Sequence, residues 1–177
     1  MAEQTIYLGG GCFWCTEAVF RQLAGVSAVE SGYIGGHAEN PTYKQVCTGT
    51  TDHAEAIRIT FDPAIIGWDD LADVFFATHD PTQLNRQGND IGTQYRSAIF
   101  LLDESEHERA EAAIARAQAE RPEPVVTTIE GPATWWPAED YHQEYWEGEG
   151  QRNPYCLAVI PPKLAKLRKG FAGKLKG

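Results

Sequence analysis

The 177-residue chain contains no uninterrupted apolar stretch long enough to span a bilayer. Its first residues, MAEQTIYLGGG, lack the basic segment followed by an apolar one that marks a secretion signal. Internal repeats, low-complexity stretches and a recognisable domain linker are also missing. These absences predict a single cytoplasmic domain over residues 1–177 that acts as a monomer and has no membrane partner.

Basic residues are scarce, with 15 Lys and Arg against 25 Asp and Glu, which gives a net charge of −10. A nucleic-acid partner is therefore not expected, because binding phosphates requires a basic surface. The exception is the basic tail 163–177, KLAKLRKGFAGKLKG, which has six basic residues and no acidic one. It is interpreted as a solvated, partly frayed chain end, with an RNA- or membrane-binding patch as the alternative.

Cysteine occurs only four times, at Cys12, Cys15, Cys47 and Cys156. In a cytoplasmic protein such thiols are more often catalytic, metal-binding or simply buried than paired in disulfides. The single CxxC motif, Cys12 to Cys15, has no second pair and no suitably spaced histidines, so no metal site is predicted. Cys47 lies in a strand-like segment and is expected to be a buried, inert thiol.

Strand-like and helix-like segments alternate along the chain, which predicts a mixed sheet with helices packed on it. Two long polar segments, 77–94 and 131–156, carry histidines and aromatic residues, which favours functional loops over disorder. Strands are predicted at 5–8, 29–36, 55–61, 95–102 and 124–129, and helices at 13–23, 67–80 and 103–121.

The stretch GGGCFWCTE, residues 9–17, predicts a reactive thiol at Cys12. Glycines allow a sharp turn and a close approach to a ligand. The amides and dipole at a helix N-terminus favour a thiolate. A tight turn that carries a buried, unreactive cysteine is the alternative.

Glu55 is predicted to lie on the apolar face of its strand, with Ile57 and Ile59, because side chains alternate along a strand. A buried carboxyl group has a raised pKa, as a general acid working near neutral pH requires. Alternatively, Glu55 sits at the exposed start of the strand or pairs with an arginine such as Arg96.

Other polar side chains of the loops and strand starts are weaker candidates. Tyr43, Asp90 and Tyr95 offer hydroxyls and a carboxylate for orienting a polar ligand, with half-buried packing as the alternative. His142 is interpreted as a hydrogen-bonded structural histidine rather than a base. A cluster of aromatic residues is assigned to core or loop packing, and comprises Trp135, Trp136, Tyr141, Tyr145 and Trp146.

With GGGCFWCTEAVF the chain resembles the A-type peptide methionine sulfoxide reductases. The resemblance continues, in order, through SGYIGG, NPTYKQVCTGTTDHAEAIRITFDP, HDPTQLNRQGNDIGTQYRS and PAEDYHQEYW. It implies an α/β (α+β) two-layer sandwich with a ferredoxin-like mixed sheet and long C-terminal loops. It also implies reduction of methionine S-sulfoxide, free or in proteins.

The resemblance implies a role for each matching residue. Cys12 is the nucleophile, and Phe13 and Trp14 form a pocket for the S-methyl group. Glu55 protonates the sulfoxide oxygen, Tyr43 and Tyr95 donate hydrogen bonds to it, and Asp90 orients the site.

Regeneration is implied to pass from a sulfenic acid on Cys12 to a disulfide, which thioredoxin or dithiothreitol reduces. No metal or organic cofactor is needed. Cys156, at the end of a glycine-containing loop, resembles the family's resolving position, and Cys15 is the alternative. The main competing hypothesis is a thiol–disulfide oxidoreductase that uses the CFWC motif. A second is a module that binds oxidised methionine without reducing it.

Overall fold

A central sheet of six strands organises the protein, whose computed structural model describes residues 3–176. The sheet order is β7-β6-β1-β3-β2-β8, and β4 pairs with β5 in a separate hairpin. All pairs are antiparallel except β6 with β7. The strands are β1 (Gln4–Gly10), β2 (Val26–Ile34), β3 (Ala54–Phe61), β4 (Arg86–Gln87), β5 (Asp90–Ile91), β6 (Ser97–Phe100), β7 (Thr128–Glu130) and β8 (Trp136–Pro137).

The main core lies between the sheet and its helices. Helices α1 and α3 pack on the sheet, α4 packs on α3, and α5 covers α1 and α3. The four strands β6-β1-β3-β2 have the antiparallel order of a ferredoxin-like fold, so the predicted fold class is confirmed. The helices are α1 (Phe13–Phe20), α2 (Tyr43–Cys47), α3 (Trp68–Thr78), α4 (His107–Ala119) and α5 (Pro154–Phe171).

Strand β3 carries the alternation that the sequence predicts. Ile57, Ile59 and Phe61 belong to the main core, whereas Ala54 and Ala56 belong to a small cluster on the opposite face. Because β3 lies between β1 and β2 in the sheet, both of its edges are hydrogen-bonded. The strand therefore has a fixed register and holds each side chain on a defined face.

The turn between β1 and α1 depends on glycine at two positions. Gly11 has a φ of +93°, which side chains rarely tolerate, and a Cβ there would lie 2.8 Å from the side chain of Gln87. At Gly10 a Cβ would lie 2.8 Å from the Phe75 ring. The chain can therefore turn directly from the sheet into α1 only because these side chains are absent.

Two local predictions are wrong. The segment around Cys47 is the short helix α2, started by a capping box in which Thr42 and Gln45 exchange backbone-to-side-chain hydrogen bonds. The strand predicted at 124–129 is shorter and later, at Thr128–Glu130.

The interpretation of residues 163–177 as a frayed end is also wrong for the part that the structure describes. Residues 163–171 continue α5, and Leu164 and Leu167 are buried in the main core. Beyond the helix, Leu175 forms a β-bridge with Leu23. The basic side chains therefore project from a helix whose leucines are buried in the core.

Within residues 3–176, no helix is both long enough and apolar enough to cross a membrane.

Replacing Leu167 by alanine is expected to destabilise the protein, because the leucine side chain is buried on the face of α5 that covers α1 and α3. The free energy of unfolding should fall by about 2–5 kcal/mol, the usual cost of removing a buried leucine. Urea titration of the variant measures this change, with Lys169→Ala on the exposed side of the same helix as the control. A loss below about 0.5 kcal/mol would restore the frayed-end interpretation.

Candidate active site

Cys12 lies at the point where β1 ends and α1 begins. It is the N-cap residue of α1, and its carbonyl accepts hydrogen bonds from the amides of Cys15 and Thr16 at 3.1 and 3.4 Å. The amide of Trp14 points at the Cys12 sulfur and favours its thiolate. The predicted turn-and-helix geometry is therefore present, although the thiol is 7% exposed.

The thiols of Cys12 and Cys15 are buried together, line the same cavity, and each affects the pKa of the other. Burial raises the pKa of Cys12 well above its usual range, with further contributions from Cys15 and Glu55. The same thiol–thiol contact lowers the pKa of Cys15. The prediction that the helix terminus makes Cys12 a thiolate is thus wrong for the resting enzyme, because desolvation outweighs the helix amides.

Glu55 lies directly beside the start of α1. Its Oε1 accepts a hydrogen bond from the amide of Phe13 at 3.1 Å, and its Oε2 has no partner among the described residues. The side chain is 1% exposed, and this burial raises its pKa to about 8, so the carboxyl group is neutral at pH 7.

Both alternative interpretations of Glu55 are excluded by the structure. The residue is buried rather than exposed at the start of β3. Arg96 is not its partner, because the guanidinium pairs with Glu130 at 2.7 Å. A neutral, buried acid with one free oxygen has the properties that the sequence predicted.

Tyr43 and Tyr95 both lie near the Glu55 carboxyl group, one at the start of α2 and the other at the end of a 3₁₀ turn. Burial raises the pKa of both phenols, and the charge of Glu55 is the next contribution for each. Both hydroxyls therefore stay protonated and can donate hydrogen bonds. The structure brings the two tyrosines and Glu55 together, as the resemblance implies.

The Cys47 side chain also belongs to this region. Its thiol interacts with the hydroxyls of Tyr43 and Tyr95, and the residue as a whole is exposed. The expectation that Cys47 is buried is therefore wrong, whereas its being inert stays a prediction, and partial burial of the sulfur raises its pKa. The error follows from assigning a strand to a segment that is a short surface helix.

Asp90 completes the polar side of the site from strand β5. One of its oxygens accepts a hydrogen bond from the hydroxyl of Tyr155, at the start of α5. Its charge also raises the pKa of Glu55, after the larger effect of burial. The predicted acid is thus close to Glu55, and in the resting structure it is engaged by the C-terminal helix.

Phe13 and Trp14 provide the aromatic side. The Phe13 ring is fully buried and lies 5.1 Å from the His142 ring, measured between centroids. Trp14 stacks on Tyr145 at 4.0 Å, and its Nε1 donates a hydrogen bond to Nδ1 of His142 at 3.0 Å. His142 is therefore a hydrogen-bonded histidine as predicted, and burial lowers its pKa.

The predicted aromatic cluster is not a single unit. Trp135 packs on Tyr7 at the opposite face of the sheet, with centroids 5.4 Å apart. Tyr145 instead covers Trp14. The five residues are neighbours in sequence, but the chain crosses the sheet edge at β8 between them.

Glu139 is a site residue that the sequence analysis did not single out. Its two oxygens accept hydrogen bonds from the Tyr33 hydroxyl at 2.8 Å and from the Tyr43 amide at 2.9 Å. It therefore ties the loop after β8 to α2 and to β2. The available signal is the motif AEDYHQ, residues 138–143, whose first acidic residue is Glu139.

Cys156 does not belong to the glycine-containing loop, as the sequence analysis expected, but to the helix that follows it. It lies in the first turn of α5, is fully buried, and its amide donates to the Asn153 cap. Burial raises its pKa to about 11. The thiol that the structure brings into contact with Cys12 is Cys15.

A cavity of about 460 Å³ reaches the thiol pair from the side of α5. Its walls come from the end of β1, the β4–β5 hairpin and α5. Within residues 3–176, no three His, Cys, Asp or Glu side chains are arranged to hold a metal ion. Its lining includes Cys12, Cys15, Asp90, Tyr155, Val159, Pro162 and Lys163.

The family model described as peptide methionine sulfoxide reductase matches residues 4–175. The chain belongs to this family. A relative from Erwinia tasmaniensis, named peptide methionine sulfoxide reductase MsrA, is 70% identical over 172 residues, which cover 97% of each chain. A relative of the same name from Chromobacterium violaceum is 54% identical, and the match covers 96% of this chain and 97% of the relative.

Solved structures agree with the assignment. Methionine sulfoxide reductase A of Corynebacterium diphtheriae has a TM-score of 0.76 at 37% identity, covering 86% of this chain and 76% of the other. Reduced Mxr1 of Saccharomyces cerevisiae has a TM-score of 0.76 at 32% identity, covering 86% of both. Mxr1 has also been solved in complex with Trx2. The predicted family and reductase activity are confirmed, and none of these matches favours a thiol–disulfide oxidoreductase.

Glu55→Gln is expected to change how stability depends on pH. The folded state raises the Glu55 pKa from 4.5 to about 8, so it binds more protons than the unfolded state between these values. Stability is therefore lost as pH rises through this window. Relative to the variant, the wild type should lose about 2–4 kcal/mol between pH 5 and pH 8.

Denaturant titrations at several pH values measure this difference. Glu123→Gln, at an exposed position, is the control, and its pH dependence should match that of the wild type. Parallel curves for the wild type and Glu55→Gln would show that folding does not raise the Glu55 pKa and that the carboxyl group is already ionised at pH 7.

Proposed function

We propose that Cys12 attacks the sulfur of methionine S-sulfoxide while Glu55 protonates its oxygen. The observation that supports this proposal is the bond from the Phe13 amide to Glu55 Oε1. This bond holds the neutral carboxyl group of Glu55 beside Phe13, the residue after the nucleophile Cys12. It leaves Oε2 of Glu55 without a partner among the described residues. A general acid must be protonated and within reach of the reacting oxygen.

Three groups of side chains would fix the substrate. Phe13 and Trp14 receive the S-methyl group on the aromatic side of the site. Tyr43 and Tyr95 donate to the sulfoxide oxygen, and Asp90 orients the substrate once Tyr155 releases it. Because methyl group, oxygen and nucleophile occupy three fixed directions around the sulfur, only the S epimer is reduced.

The first chemical step moves two electrons from Cys12 to the substrate. Protonation by Glu55 makes the sulfoxide sulfur electrophilic, and the Cys12 sulfur attacks it as the Cys12 proton passes to the Glu55 carboxylate. Collapse of the adduct transfers the oxygen to Cys12. The products are methionine and the sulfenic acid of Cys12.

Regeneration uses a second thiol, and the geometry favours Cys15 over Cys156. Cys15 is in contact with Cys12, whereas Cys156 is buried in α5 and has a raised pKa. Attack of the Cys15 sulfur forms the disulfide, breaks the S–O bond and releases water. A dithiol such as that of thioredoxin then reduces the disulfide.

The reaction's electrons come from thiols, so the proposal requires no metal or organic cofactor, and dithiothreitol can replace thioredoxin. We place the enzyme in the cytoplasm, where thiols are kept reduced. Residues 1–177 would act as one catalytic domain on free or protein-bound methionine sulfoxide.

Glu55→Gln should slow methionine release by about 10²–10⁴-fold, because the amide keeps the volume of the acid but cannot transfer a proton. Single-turnover reactions with separated epimers of a blocked methionine sulfoxide measure this rate. The wild-type rate should fall as pH rises through about 8, where Glu55 loses its proton, and the variant should lack this fall. Wild-type rates in the variant, or turnover of the R epimer, would contradict the proposal.

Cys15→Ser should release about one methionine per enzyme and then stop when thioredoxin is the sole reductant. Cys156→Ser should continue to turn over. In wild-type enzyme treated with one equivalent of substrate, mass spectrometry after thiol blocking should find Cys12 joined to Cys15. A Cys12–Cys156 disulfide, with sustained turnover by Cys15→Ser, would assign the resolving role to Cys156.

A further inference from the structure

Lys163 places a positive charge inside the protein without an acidic partner. Its Nζ donates a hydrogen bond to the carbonyl of Thr78 at 2.7 Å, at the end of α3. Among the described residues, Lys163 takes part in no ion pair. A largely desolvated ammonium group is costly unless a negative charge compensates it.

The cavity beside α5 shows where that negative charge can form. Lys163 lines it together with both thiols of the CxxC motif, and Val159 and Pro162 contribute apolar walls between them. Charges interact more strongly across such a space than across water. The thiol pair is therefore within the electrostatic reach of Lys163.

Several ionisable groups act on Cys15, among them Glu55 of β3 and Cys156 of α5, whose pKa values Cys15 raises. Cys12 faces it from α1 as a hydrogen-bond donor, Asp90 from β5 as a negative charge, and Tyr155 from α5 as a phenol. Lys163 is the one cation in this described set. Asp90 and burial oppose a thiolate on Cys15, and the positive charge of Lys163 adds to the larger favourable effect of the Cys12 thiol.

We propose that Lys163 is a positioning residue that maintains Cys15 as a thiolate for disulfide formation and release. This inference rests on the proposed Cys12–Cys15 disulfide. When the Cys15 thiolate attacks the sulfenic acid of Cys12, the S–S bond forms, the S–O bond breaks, and the leaving hydroxide takes a proton from the solvent to become water.

Lys163 would also assist the reduction of the Cys12–Cys15 disulfide by an external dithiol. A thiolate of the external dithiol attacks the Cys12 sulfur, the S–S bond breaks, and its electron pair remains on Cys15. A cation beside Cys15 makes it the better leaving group. The second thiol of the reductant then frees Cys12, so the enzyme regains two electrons.

The alternative role for Lys163 is structural, because its ammonium group also caps the C-terminal end of α3. A cap would affect stability, and any loss of order in the site would slow both chemical steps. An electrostatic role instead predicts a selective effect on the second step and a shift in its pH dependence. The two roles are therefore separable by measuring the steps individually.

The test compares Lys163→Met, Lys163→Arg and Lys166→Met, the last removing an exposed lysine one turn along α5. Each is mixed with one equivalent of a blocked methionine S-sulfoxide and quenched over time. Methionine release reports the first step. The sulfenic acid, trapped with a 1,3-diketone, and the mapped disulfide report the second.

Lys163→Met should release methionine at the wild-type rate but form the disulfide about tenfold more slowly at pH 7, with the pH profile of that step displaced upward by about one unit. Lys163→Arg should restore both the rate of disulfide formation and its pH profile. Lys166→Met should match the wild type. If Lys163→Met does not fold, Lys163→Gln takes its place, and the urea midpoint of each variant is measured alongside.

The possible failures are distinguishable. A wild-type disulfide between Cys12 and Cys156 overturns the proposed regeneration route, and the role of Lys163 with it. A mapped Cys12–Cys15 disulfide with an unchanged second step in Lys163→Met overturns the role of Lys163 alone. Equal slowing of both steps assigns Lys163 to the structural cap.

Discussion

The hydrogen bond between the Phe13 amide and Glu55 joins the two parts of the structure that the site requires. One end is the first amide of α1, which follows the nucleophile, and the other is a carboxyl group on an interior strand of the sheet. Neither end can move independently, because β3 is paired on both edges and α1 is buried along nearly its whole length. The bond therefore fixes the spacing of acid and nucleophile.

Burial gives the surrounding groups a common electrostatic character. The carboxyl group of Glu55 and the phenols of Tyr43 and Tyr95 are all held neutral, so each can donate a proton or a hydrogen bond. Asp90 and the thiol pair lie on the side covered by α5. Glu139, behind Tyr43, is a carboxylate whose oxygens are occupied by the Tyr33 hydroxyl and the Tyr43 amide. The groups free to donate to a sulfoxide are therefore neutral, and thiol exchange takes place on the side of α5.

Much of this arrangement was predictable from local patterns. The alternation of β3 indicated which face Glu55 occupies, and the three glycines before Cys12 indicated the turn, because both signals act over a few residues. The state of Cys12 was not predictable, since its burial depends on α5, which is more than 140 residues away in sequence.

The other errors have equally specific causes. Helix α2 has five residues, too few for a periodic pattern, and its one readable signal was the Thr42–Gln45 capping box. In residues 163–171 the high charge concealed Leu164 and Leu167, whose spacing of three places both on the buried face of a helix.

The exposed position of Cys47 affects how chemical labelling of this enzyme is interpreted. An alkylating reagent meets Cys47 at the surface before it reaches the buried pair of Cys12 and Cys15. The group it attaches would lie against the hydroxyls of Tyr43 and Tyr95 and fill the space between them. Loss of activity on alkylation therefore does not identify the nucleophile unless the modified cysteine is located in the sequence.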